Sequence, residues 1–161
     1  MTEDLESVTW DQFIATNVQR CVKKLKECFD QPSALNDPLS LKKIRVWSRR
    51  TLAAMMLTPN SAHSPKITKL IKELKELIDS LGAVRDIDVA REIVHSHTSH
   101  LADDEKNAVM HYLISTEQKR SSCEQHLERI LQRILKQNLL HKIDQAFEEL
   151  KHTDGQTEPK N

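Results

Sequence analysis

Glycine is nearly absent from this 161-residue chain, with 2 residues, and proline contributes only 5. So few turn-formers exclude a sheet-rich fold built on tight hairpins. Aromatic residues are scarce too (Trp 2, Tyr 1, Phe 3), which argues against a stacking platform for nucleic-acid bases. Three cysteines, Cys21, Cys28 and Cys123, cannot all pair, and Cys21 and Cys28 share one helical face as buried thiols would. No apolar run approaches the roughly 18 residues of a membrane span. Residues 1–9, MTEDLESVT, have neither the basic nor the apolar part of a secretory signal, so a cytoplasmic location is expected.

What remains is a chain rich in Leu, Lys, Glu, Ile and Ala, the composition of helices. Apolar residues from Trp10 to Phe29 recur at three-and-four spacing and predict a first helix over about Thr9 to Phe29. A second is expected over about Pro38 to Met56, with Asp37 as its N-cap and Pro38 at its first position. The stripe Ile67, Leu70, Ile71, Leu74, Leu77, Ile78 and Leu81 predicts a third that starts at Pro65 and stops at Gly82. Ile87, Val89, Ile93 and Val94 suggest a fourth, ending near HSHTSH. A fifth over about Asp103 to Gln137 and a sixth over about Asn138 to His152 complete the set. The expected fold is all-α: an antiparallel bundle of about six helices with a four-helix core, a single domain over residues 1–152, and a disordered tail over 153–161.

Lys plus Arg equal Asp plus Glu at 24 each, so net charge identifies no partner. The distribution is lopsided. From Arg20 to Lys75 there are thirteen basic and four acidic residues, a local excess of nine positive charges. If Leu41, Ile44, Ser48, Leu52 and Met55 form the buried stripe of the second helix, then Lys42, Arg45 and Arg49 lie on one arc beside it, with Lys43 and Arg50 on the far side. Arg20 and Lys24 flank the stripe of the first helix, Lys75 that of the third, and Arg120 falls within that of the fifth. Cations gathered along shared seams repel one another unless an anion joins them. A linear polyanion would suit such a groove, with Arg giving bidentate and Lys point-charge contacts. The same spacing also suits cations that only lay their stems along the core and are neutralised by neighbouring acids.

Two segments carry a family resemblance. LKKIRVWSRRTLAAM, Leu41 to Met55, resembles the signature helix of the CHAD domain family, a His followed by Arg-Val and Arg-Arg at fixed spacing. LGAVRDIDVARE, Leu81 to Glu92, is similar to the same family's Leu-Gly-x-x-Arg-Asp-x-Asp segment. The resemblance implies an all-helical domain that binds inorganic polyphosphate through basic side chains. Arg45, Arg49 and Arg50 then occupy the motif's arginine positions, and Lys42 stands where the family has its histidine. Nothing after His100 repeats the basic helix, so either a minimal bundle or a homodimer is expected.

Arg85, Asp86 and Asp88 fill the second motif; the two acids are expected to cap the helix that follows Gly82, with Arg85 bridging them and the polyanion groove. His95, His97 and His100 are expected to form a polar helix end, with no metal site or cofactor. No phosphate loop or nucleophile elbow is present, so binding without catalysis is expected. Polyphosphate leads as partner, with possible association at polyphosphate granules. The alternatives are a helical adaptor for a protein, whose fifth and sixth helices would do the work, and a nucleic-acid or phosphate module.

Overall fold

The computed structural model describes residues 8–31, 37–59, 64–98 and 102–153. His100 and the expected tail from residue 154 onward lie outside the described residues. Every described element is an α-helix: α1 (Trp10–Phe29), α2 (Pro38–Met55), α3 (Pro65–His97), α4 (Asp103–Lys136) and α5 (Leu139–Thr153). None is long and apolar enough to cross a membrane.

The helix starts follow from capping chemistry. Thr9 and Gln12 form a reciprocal box at the head of α1: the Gln12 amide donates to Thr9 Oγ1 at 3.3 Å, and the Thr9 amide donates to Gln12 Oε1 at 3.1 Å. Asp37 accepts from the Ser40 amide at 2.8 Å, with Pro38 in the first turn where its missing N–H goes unnoticed. Asn138, at φ 52°, takes the left-handed conformation between α4 and α5, which asparagine tolerates better than most residues.

Among the described residues five helices stand where about six were expected, because the third and fourth are one. Gly82 lies inside α3 with no positive φ, and helix continues on both sides of it. A glycine followed by acidic residues looks like a stop and a new cap. Here Leu77, Leu81, Val84 and Ile87 keep the apolar stripe in phase through the glycine, so burial carries the helix on.

The chain divides into two compact units, residues 1–75 with 137–161, and residues 76–136. In the first, α1 packs against both α2 and α5. Ile14, Val18 and Leu25 of α1, Ile44 and Met55 of α2, and Leu139, Ile143 and Phe147 of α5 are fully buried. Each such side chain contributes roughly 1.5–3 kcal/mol of burial. The α1 and α5 helices run antiparallel: Gln19 donates to Glu148 at 2.5 Å and Lys26 donates to Asp144 at 3.0 Å, so one partner number rises as the other falls.

In the second unit the rest of α3 and α4 form an antiparallel hairpin. As the α3 partner advances through Glu76, Asp88 and Arg91, the α4 partner retreats through Arg133, Arg120 and Glu117. Leu77, Leu81, Val84, Leu127, Ile130, Leu131 and Ile134 are its buried core. From Asp88 to His97 and from Glu105 to His126 no described side chain is buried, and ion pairs take a larger share in holding the helices together.

Candidate functional site

The face that α2 turns inward decides where its cations go. Its buried residues are Ser40, Ile44, Ser48, Thr51, Ala54 and Met55, while Leu41 and Leu52 are only half-buried. Small hydroxyl residues thus occupy core positions that a purely apolar reading assigns elsewhere. Two of them are satisfied locally: Thr51 Oγ1 donates to the Trp47 carbonyl at 2.8 Å and the Ser40 hydroxyl to Asp37 at 2.8 Å. The buried stripe is therefore rotated from the expected one. Lys43, Trp47 and Arg50, spaced i, i+4 and i+7, become one edge of that stripe, Arg45 stands at the other, and Lys42 and Arg49 point away from the core.

This corrects the sequence reading, which put Lys43 and Arg50 on the outer side. The correction rests on which α2 residues are buried, and the charges felt by the α1 thiols agree with it. Burial pushes the Cys21 thiol up, and the positive charges of Arg50 and Arg20 oppose that rise. Burial likewise pushes Cys28 up, opposed first by Lys43 and more weakly by Lys24, while Glu27 adds to the rise. Both effects fit Lys43 and Arg50 on the edge of α2 that faces α1, with Lys24 of α1 beside them. Arg20 is exposed on α1.

Most of these charges are uncompensated. Lys24 meets Glu27 at 2.8 Å, one turn along its own helix, and both remain about half exposed; such a surface pair contributes little. Among the described residues, Arg20, Lys42, Lys43, Arg45 and Arg49 have no carboxylate within ion-pair distance. Arg50 is held over the Trp47 ring, 4.6 Å from its centroid. Trp47 is half-buried beneath that guanidinium. Lys75, on the part of α3 in the same unit, is also exposed and has no carboxylate partner there.

Arg120 behaves differently. It belongs to the second unit, is 25 % exposed, and donates through Nε to Asp88 at 2.6 Å while Nη1 meets Glu124 at 2.6 Å. The Asp88 hydrogen bond raises its pKa first, against the opposing effect of burial. The half-buried guanidinium does need a partner, and the partner is a pair of carboxylates within the hairpin rather than a free anion. Asp88, expected as a helix cap, is that acceptor in the middle of α3. Arg85 meets Glu92 at 3.4 Å, and Asp86 is exposed on the same helix. Sequence reasoning missed the Trp47–Arg50 stack, although an aromatic three residues before an arginine on a helix is its signal.

No curated protein and no solved structure matches the chain. The model of the CHAD domain does match, from residue 16 to residue 160. That span takes in the α1–α2 seam and both units of the fold, and it covers nearly the whole sequence, so the chain belongs to the CHAD domain family.

Proposed function

We propose that the chain binds inorganic polyphosphate, without turning it over, along the basic seam between α1 and α2. The observation that carries this reading is that Lys43 and Arg50 share one edge of the buried stripe of α2 with no carboxylate within ion-pair distance among the described residues. Like charges held together in the free protein stabilise whatever anion joins them. Membership in a family linked in general to polyphosphate supports the same ligand.

The seam presents Lys and Arg, residue types that serve poorly as general acids or bases in the neutral range. Lys42 stands in the place of the family's histidine. Binding without hydrolysis follows, and release of orthophosphate from polyphosphate on incubation would contradict it. A single-stranded nucleic acid is a weaker candidate, because Arg50 already covers one face of the half-buried Trp47 that a base would stack on.

Titration with long-chain polyphosphate at two salt concentrations tests the reading. Counterion release makes affinity for a polyanion fall by about three to five decades between roughly 50 and 200 mM salt when six to ten phosphates are engaged. Binding that resists salt, or that an apolar peptide displaces, points to the adaptor instead. Association of two chains belongs to the same proposal; light scattering with and without ligand tests it, and a monomer under both conditions removes it.

A further inference from the structure

Arg50 is fixed in a different manner from the cations around it. Among the described residues it has no carboxylate partner, and its guanidinium carbon lies 4.6 Å from the centroid of the Trp47 ring. Trp47 sits three positions earlier on the same edge of α2 and is half-buried, so the helix itself holds the indole beneath the cation. A guanidinium laid over an aromatic face is attracted to the ring while its N–H donors, which lie in its own plane, project free from its edge. Stacking therefore restricts the orientation of the fork without occupying it. An exposed arginine without such a support samples many rotamers, and an anion must freeze them on binding. Arg20, on α1, is exposed and has no such platform.

We propose that Trp47 is a positioning residue for anion binding, holding the Arg50 guanidinium with its edge free so that it engages a phosphoryl group of a condensed phosphate chain as a planar fork. This rests on the polyphosphate reading of the seam and extends it to an uncharged side chain.

A double-mutant cycle on the full chain tests this, with long-chain polyphosphate as the probe and a melting curve for each variant. Trp47→Leu should weaken binding by roughly twofold to fivefold, the size of a cation–π contact at a partly exposed site, and Trp47→Phe should restore most of the loss. In an Arg50→Ala background, Trp47→Leu should change nothing further. Equal losses in both backgrounds would show that Trp47 acts through the fold, and parental affinity in Trp47→Leu would show that it does not act; either result overturns the proposal. Arg50→Lys keeps the charge and gives up the planar fork, so it supplies an arm that leaves the indole in place. Weaker binding supports the positioned fork, and parental affinity refutes it. A parent that fails to bind polyphosphate overturns the functional reading and this inference together, whereas a binding parent with an additive cycle overturns this inference alone.

Discussion

Gly82→Ala separates two accounts of α3 by the sign of its effect. If Gly82 ended a helix in the left-handed conformation, alanine there would be strained and the protein would lose stability. In the structure Gly82 is an interior helical residue without positive φ, and a Cβ added to it meets nothing within 4 Å. Alanine then gains the helix propensity that glycine lacks, about 0.5–1 kcal/mol, with no steric loss to offset it. For a chain of this size that is a rise in Tm of about 1 to 4 °C. Urea unfolding followed by circular dichroism should show a higher midpoint at unchanged slope, since the surface exposed on unfolding is the same. A lowered midpoint would refute the continuous helix. It would also return Asp86 and Asp88 to the role of caps.

Arg120→Ala strands Asp88 and Glu124 without their shared cation and should lower stability by about 1–2 kcal/mol, a charged hydrogen bond discounted for partial exposure. Polyphosphate affinity should hold at the parental value, and a loss of affinity at unchanged stability would put Arg120 back among the ligands. The N-cap carboxyl of Asp37 is held below the usual carboxylate range by its hydrogen bonds from Ser40. Its contribution is therefore complete above the unfolded-state carboxylate pKa and is lost as pH falls through the lower folded value. Asp37→Asn keeps the capping oxygen and removes the titration, so stability should decline less steeply than in the parent as pH falls below the ordinary carboxylate range. An unchanged slope would mean that the cap does not contribute to acid lability.

The helices were legible because their apolar stripes are long and their starts carry cap signals. The bounds of α1, α2, α4 and α5 differ from expectation by a residue or two. The break at Gly82 was misread because local punctuation and tertiary burial disagree there, and burial carries more free energy than one glycine removes. At the site, the basic segment could be read from sequence, but the orientation of α2 could not. Ser40 and Thr51 are buried hydroxyls, and hydropathy alone places such residues at the surface. Leaving them out of the buried stripe rotated the wheel and set Lys42 and Arg49 beside it in place of Lys43 and Arg50, although the family motif named Arg50. Asp88 as the acceptor of Arg120 needed the α3–α4 register, which no pattern within either helix contains.

The central claim, that the α1–α2 seam rather than general positive charge holds the polyanion, is tested by comparing Lys43→Ala/Arg50→Ala with Lys42→Ala/Arg49→Ala. Each double variant removes two positive charges, all four residues are exposed, and the folds should melt alike. Affinity for long-chain polyphosphate is measured across a salt series for both. Each lost phosphate contact flattens the logarithmic salt slope by roughly 0.7–0.9, so the seam variant should lose about 1.5 in slope along with affinity. The outer variant should keep most of both. Equal flattening in the two variants, or a larger effect in the outer one, would contradict the seam.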